Sequence, residues 1–417
     1  MRGAGVSGRE EVSDWAAGRS GGGAIWRRGD LAACRYVEKR AKNRHVGVLC
    51  TRYRHMLPFM PFDPLRPFND LPDLPPTAEL ESRAILKQAI ASNRVLADLR
   101  GLARQITNQA MLINGLVLQE ARLSSEIENI VTTNDELYRA DADANGNTDS
   151  PTKEVLRYRQ ALYHGFRALK ARPLATNLFI DIARMIKEVE LDIRKVPGTA
   201  LQTPSGKVIY TPPVGEGLIR DKLHNLECFI HARDGLDPLI KMAVTHYQFE
   251  AIHPFEDGNG RTGRILNVLL LVDQGLLDIP VLFLSGYIMA NKGGYYDGLR
   301  GVTERQDWES WILYMLKAVE VTAGETFNKV QRIHELMERV RERVSREAPG
   351  IYSKDLIEAI FRHPYTKIQF LVDAGLAKRQ TASAYLQTLA GMGVLRASKH
   401  GREMYYINDG LLTELVR

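Results

Sequence analysis

Cysteine is scarce in this sequence. Cys34, Cys50 and Cys228 are the only three in 417 residues, too few and too scattered for a disulfide framework or a zinc cluster. Long apolar runs are missing as well. The longest aliphatic stretch, Ile265 to Val272, is interrupted by Asn267 and falls far short of the roughly 20 residues that a membrane-spanning helix needs. The opening residues, MRGAGVSGREE, hold no apolar segment of the secretion-signal kind, so a reducing cytoplasm is the expected setting. Nor is one sign of charge in excess once the chain is divided. The whole carries +6, yet residues 1–55 alone contribute +7, leaving −1 for everything after them. The basic balance belongs to that first stretch, and overall charge gives no ground for a nucleic-acid partner. The rest, 44% hydrophobic and 25% charged over the whole chain, is the composition of ordinary folded protein long enough for two or three domains.

Residues 1–55 are rich in Gly, Arg and Ala, contain Gly21-Gly22-Gly23 and show no period. They are expected to be a disordered tail or else a non-native extension, in which case the chain starts at Met56 or Met60. The next segment, MLPFMPFDPLRPFNDLPDLPP, is punctuated by proline but too apolar for a free linker. It is expected to lie across the surface of the helical body C-terminal to it. Residues 56–150 then read as an N-terminal helical region. One helix comes after Thr77, with Leu80, Ile85, Leu86, Ile90 and Leu96 on a broad face. A second covers 109–130 through Leu112, Leu116, Leu123, Ile127 and Ile130. Helical spacing recurs near 151–170, 174–192, 216–233, 236–252, 261–275, 291–301 and 306–345, which makes 151–345 a helical core.

Strand alternation appears at one place in that core. TALQTPSGKVIYT, residues 199–211, turns on Pro204-Ser205-Gly206 and predicts a β-hairpin. From 350 to 417 the texture changes to three short helices, 353–362, 366–373 and 379–391, and a terminal hairpin through Val394–Arg396 and Met404–Ile407. That order predicts a small winged-helix domain. The expected fold is mainly α, with one hairpin in the core and a winged helix at the end.

The chemistry concentrates in HPFEDGNGRTGR, residues 253–264. It lies between two helical runs. Gly258 and Gly260 let successive N–H groups turn inward as an anion nest at the start of the second of these helices, where unpaired amides and the helix dipole favour phosphate. Arg261 and Arg264, one turn apart, are expected to project toward that anion. Asp257 offers a hard oxygen suited to Mg²⁺ among polyphosphate oxygens. His253 has the titration range of a general base. The same residues satisfy the dinucleotide fingerprint G-x-G-x-x-G, but that motif needs a preceding strand and a βαβ unit; here a helix precedes it.

HPFEDGNGRTGR resembles the Fic motif, HPFx(D/E)GNGRxxR, at every fixed position. The resemblance implies a mainly helical Fic domain that transfers AMP from ATP to a Ser, Thr or Tyr hydroxyl of target proteins, or of itself, releasing pyrophosphate. It implies that His253 is the base, that Asp257 holds Mg²⁺, that Gly258, Asn259, Gly260 and Arg261 cradle phosphates, and that Arg264 takes the γ-phosphate. Thr262, Gly263 and Tyr295 complete the ATP-binding set. Gly260 points to the AMP-transferring branch, since the phosphorylating Doc-like branch has lysine there. The hairpin, through Val208, Ile209 and Tyr210, stands where the family places a flap that pins the target. SGYIMANKGGYYDGL, with Tyr295 and Tyr296, is the expected adenine wall, one of the two tyrosines being a candidate for plain core.

Ser124-Ser125-Glu126-Ile127-Glu128-Asn129 matches the inhibitory pattern (S/T)xxxE(G/N) of self-inhibited Fic proteins. It implies that Glu128, with Ser124 and Asn129, pairs with Arg264 and leaves ATP misaligned. In some relatives that glutamate also promotes AMP removal, so a reverse activity is an alternative. The end of the chain resembles the winged helix appended to this branch, whose members often form homodimers. Lys378, Arg379, Arg396, Lys399, His400 and Arg402 could meet DNA phosphates there. Ala382, Ser383, Ala384 and Tyr385 offer little to read bases, so target recruitment or self-association is the favoured role. A DNA-binding regulator with a nucleotide-sensing module is the alternative.

Overall fold

The computed structural model describes residues 62–417 apart from 107–108, 144–148, 204 and 402, and apart from the side chains of 110–113. Expectations for residues 1–55, for Met56 and Met60, for Pro204 and Arg402, and for the Leu112 side chain lie outside the described residues.

Helix α1, Arg83–Gln105, buries Ile85, Ala89, Ser92, Leu96, Leu99 and Ala103. These alternate in steps of three and four, the seam of a helix laid along a long partner. That partner is α11, Trp308–Glu347, forty residues and therefore about 60 Å long. Ser92 Oγ donates to the Leu316 carbonyl across the seam at 2.8 Å. Leu86 and Ile90, expected on the buried face, instead face outward at 40% and 72% exposure. They sit one position past the seam residues, so the broad face inferred from spacing was one step too wide.

Helix α2, Gln109–Ile127, is succeeded by a turn and by α3, Asn134–Ala142. Helix α3 went unpredicted although Thr133 and Glu136 form a capping box at its start. Then come α4, Ser150–Ala168, α5, Thr176–Lys187, the hairpin strands β1, Leu201–Gln202, and β2, Val208–Tyr210, and α6, Glu216–Ile230. The hairpin is antiparallel, as its alternation predicted. At the centre stand α7, Pro238–Ile252, and α8, Asn259–Asp273, buried on nearly every side. They also bury polar and charged side chains, among them Lys241, His246, Gln248, Arg261 and Arg264, which costs free energy unless other elements pair with them. The short α9, Leu284–Ala290, also unpredicted, leads into α10, Lys292–Arg305.

The described part of the proline-punctuated segment, from Phe62 on, does lie across this body. Phe62 stacks on Tyr210 and Phe68 meets it edge-on, and the Phe68 amide donates to the Thr211 carbonyl at 2.9 Å. Asn225 bonds both the amide and the carbonyl of Leu74. The base of the hairpin is thereby fixed from outside.

Beyond α11 come α12, Lys354–Arg362, β3, Tyr365–Thr366, α13, Ile368–Asp373, α14, Arg379–Gly391, β4, Arg396–His400, β5, Glu403–Ile407, and α15, Asp409–Val416. The sheet order β3-β5-β4 makes the expected terminal hairpin a three-stranded sheet. Helix α15 was also missed; its Leu415 packs against Gly115 of α2, where a Cβ would lie 2.7 Å from Leu415 Cδ2. This end of the chain is bound to α3 as well. Buried Asp141 takes Arg159 at 2.5 Å and His363 Nδ1 at 3.2 Å, and the Tyr365 hydroxyl donates to Asp135 at 2.5 Å. Of the basic residues considered for DNA, Arg396 is held by both oxygens of Asp409, and His400 Nδ1 is 3.4 Å from Arg139.

Burial alone would raise the Asp141 pKa, but Arg159 and His363 outweigh it and hold the carboxyl below its usual range. Asp141→Ala strands Arg159 without its partner and is expected to cost about 3 kcal/mol of unfolding free energy by chemical denaturation. A loss below about 1 kcal/mol, the worth of an exposed pair, would contradict the buried pairing.

Candidate active site

The loop between α7 and α8 is held rigidly before any side chain enters the cavity. His253 ends α7 with φ of 50°, a left-handed conformation uncommon for a residue with a side chain. Arg194, 2% exposed, holds it there: Nε donates to the His253 carbonyl at 2.7 Å and Nη2 donates to the carbonyls of Ile252 and Pro213. The Arg194 amide adds a bond to the Pro254 carbonyl at 2.9 Å. Phe255 is buried, and its amide and carbonyl are both bonded by the Asn259 side chain, at 2.9 and 2.8 Å. Gly258 takes φ of 82°, and α8 then starts with no side-chain cap, leaving the positive end of its dipole toward the loop.

A cavity of about 760 Å³ opens over this loop. Its floor holds His253, Gly260 and Arg264; one wall is the hairpin, through Leu201, Ile209 and Tyr210; another is α10, through Lys292, Tyr295 and Tyr296; and Glu128 and Asn129 enter from the end of α2. The expected residues from four separated stretches therefore meet in one place. Tyr210 is anchored by its hydroxyl to the Ala251 carbonyl at 2.8 Å, while Val208 is paired with Gln202 in the hairpin.

Arg264 is 1% exposed. Its Nε donates to Ser124 Oγ at 2.8 Å, and its Nη2 donates to the Ser124 carbonyl at 2.9 Å and to Glu128 Oε1 at 2.8 Å. The expected pair is present, and Ser124 contributes two of its three contacts. Burial would raise the Glu128 pKa, but Arg264 outweighs it and holds the carboxylate ionised. Gly260 makes the approach possible: a Cβ there would stand 2.3 Å from Glu128 Oε1 and 3.0 Å from Arg264 Nη1. Asn129, just past the helix end, has φ of 62° and turns the chain away.

His253 is half-buried, and burial, with Arg194 next in weight, lowers its pKa to about 4. The ring is therefore neutral near pH 7 and able to accept a proton. Burial raises two nearby carboxyls, Glu120 and Glu250, to about 7. Glu120 accepts from the Ser285 amide at 3.1 Å and so ties α2 to α9.

Three expectations are revised. The Asn259 side chain is occupied by Phe255, so only its backbone can serve a phosphate. Arg261, 2% exposed, turns to Glu154 at 2.9 Å, so Arg261 and Arg264 diverge instead of converging. Tyr295 is buried and bonded to His246 Nε2 at 2.8 Å; Tyr296, 45% exposed, is the ring with a free surface. Thr262 is buried, and Gly263 lies close against α7, where a Cβ would stand 2.5 Å from Glu250 Oε1. Asp257 is exposed, with Lys187 at 2.5 Å. Among the described residues no cluster of three or more carboxylate, imidazole or thiol groups offers a preformed metal cage. One accessible carboxylate beside an anion nest fits a Mg²⁺ ion that arrives on phosphate oxygens. Arg194 and Lys292 were not foreseen: both act through backbone carbonyls, which leave no pattern in a sequence.

The family models agree with this geometry. Residues 86–167 match the Fic/DOC family N-terminal model, 173–271 the Fic/DOC family model, and 336–411 the C-terminal domain of SoFic-like protein adenylyltransferases. Residues 86–167 and 173–271 thus carry the N-terminal and core regions of the Fic/DOC family. It is similar to the protein adenylyltransferase fic-1 of Caenorhabditis briggsae, 27% identical over 150 residues, 32% of this chain and 29% of that one. It is also similar to the protein adenylyltransferase Fic of Drosophila willistoni, 32% identical over 141 residues, 29% of this chain and 28% of that one. The match thus spans less than a third of the length of these relatives. A crystal structure of a Fic family protein from Desulfovibrio desulfuricans G20 shares the fold, with a TM-score of 0.51 and 17% identity over 78% of this chain and 96% of that one.

The environment of His253 sets its titration. In the nucleotide-free protein the imidazole should titrate near pH 4, monitored by NMR of the ring protons. A midpoint near 6.5, the unperturbed value, would contradict both its burial and the influence of Arg194.

Proposed function

We propose that this chain is a protein adenylyltransferase, held inactive by its own α2. One observation carries the reading: a neutral histidine, an uncapped helix N-terminus and a buried arginine share one cavity, and an internal glutamate occupies the arginine.

In this reading the amides at the start of α8 and, once freed, Arg264 bind the triphosphate. Asp257 would hold Mg²⁺, which supplies charge neutralisation on the phosphates when bound. The hairpin pairs with an extended stretch of the target and brings its hydroxyl to His253. Nε2 or Nδ1 of the ring takes the hydroxyl proton. The oxygen then bonds to the α-phosphorus, the bond from the α-phosphorus to the bridging oxygen breaks, and pyrophosphate leaves. Arg194 keeps the histidine in its left-handed turn throughout. With Glu128 on Arg264, ATP finds no partner for its terminal phosphate, and the α-phosphorus is left out of line with the nucleophile. Misplacement of this kind can reduce rate by about 10²-fold. The C-terminal segment reads as a protein-contact module, since Arg396 is occupied by Asp409. The scattered cysteines suit a cytoplasmic setting.

The test is incorporation of α-labelled AMP with Mg²⁺. Glu128→Gly should raise labelling of the chain itself by about 10²-fold over wild type, and Glu128→Gly/His253→Ala should abolish it. Equal labelling of the two variants would remove His253 from the chemistry. Wild type as active as Glu128→Gly would remove the inhibitory role of α2.

A further inference from the structure

Arg264 is not the only cavity cation that the end of α2 occupies. Lys292, the first residue of α10, donates from Nζ to the Ile127 carbonyl at 2.8 Å. Ile127 is the last residue of α2, so this oxygen is one of the carbonyls left unpaired at a helix C-terminus, at the negative end of the dipole. Lys292 lines the same cavity as Arg264, His253 and Glu128. One turn of chain, Ser124 to Glu128, thus presents four oxygens to two cations: the Ser124 hydroxyl and carbonyl and the Glu128 carboxylate to Arg264, and the Ile127 carbonyl to Lys292.

We propose that Lys292 is a second binding group for nucleotide phosphate, masked by the same turn that masks Arg264. The inference rests on the reading of this cavity as an ATP site. A lysine that served only to cap α2 would need no place on a cavity wall. This one stands four residues before Tyr296, so both lie on one face of α10, and Tyr296 presents the exposed ring of that wall. A nucleotide whose base or ribose rests on Tyr296 brings its phosphates within reach of Lys292. When the turn withdraws, the ammonium loses the Ile127 carbonyl and needs another oxygen, which a triphosphate supplies. As a point charge on a flexible stem, lysine suits phosphate without demanding a fixed geometry.

The test uses the full chain in the released background and measures equilibrium binding of ATP and of AMP to Glu128→Gly, Glu128→Gly/Lys292→Ala and Glu128→Gly/Lys292→Arg. Loss of Lys292 should weaken ATP by about tenfold or more, the worth of one charge-assisted bond. AMP should be little affected, and arginine should restore most of the ATP affinity. Unchanged ATP affinity in Glu128→Gly/Lys292→Ala would overturn the proposal and leave Lys292 as a helix cap. An equal loss for ATP and AMP would overturn the assignment to the outer phosphates. If Glu128→Gly itself fails to bind ATP, the reading of the cavity falls, and this inference with it.

Discussion

A guanidinium buried as deeply as Arg264 must have partners, because an unpaired charge out of water costs several kcal/mol. In this protein the partners come from a different part of the chain, more than 130 residues earlier in sequence, at the end of α2. Much else depends on that one requirement. Gly260 has no side chain because the Glu128 carboxylate occupies the space a Cβ would fill. Ser124 is buried because its hydroxyl and carbonyl complete the arginine's bonds. The helix must end between Ile127 and Asn129 so that the glutamate can turn into the cavity.

The frame around this pair divides into a heavily braced part and a lightly held part. The heavily braced part is the loop between α7 and α8, with Arg194 on three carbonyls and Asn259 on Phe255. These groups are buried and mutually satisfied, which holds His253 in its uncommon conformation. The lightly held part is the turn after α2, where Glu128 is 39% exposed and bonded to Arg264. Farther along α2, Gly115 packs against Leu415, and α3 is joined to the C-terminal segment through Asp141 and Asp135. Helices α2 and α3 are thus packed directly against the last third of the chain.

That His253, Gly260 and Arg264 share one cavity was legible because they stand at a fixed spacing in 253–264. The pairing of Arg264 with the end of α2 was legible from spacing too, since Ser124 and Glu128 are one turn apart. The direction of Arg261 was not. Spacing puts it on the same turn as Arg264, but Glu154, a hundred residues earlier, draws it away. The asparagine of the motif read as a phosphate ligand and proved to be a brace for Phe255. Tyr295 and Tyr296 were indistinguishable in sequence; their order along α10 decides which is core. The helices α3, α9 and α15 are short, and short apolar periods carry little signal even when a capping box marks the start. Leu86 and Ile90 show the opposite failure, apolar residues with no seam to fill.

The central claim is that Glu128 and Arg264 hold each other in the free protein. The most direct measurement is a double-mutant cycle on unfolding free energy, with Glu128→Ala, Arg264→Ala and the pair. A charge-assisted bond to a buried arginine predicts a coupling of about 1.5 kcal/mol or more between the two positions. Additive losses, with coupling near zero, would contradict the account and leave Arg264 free to meet phosphate without any release.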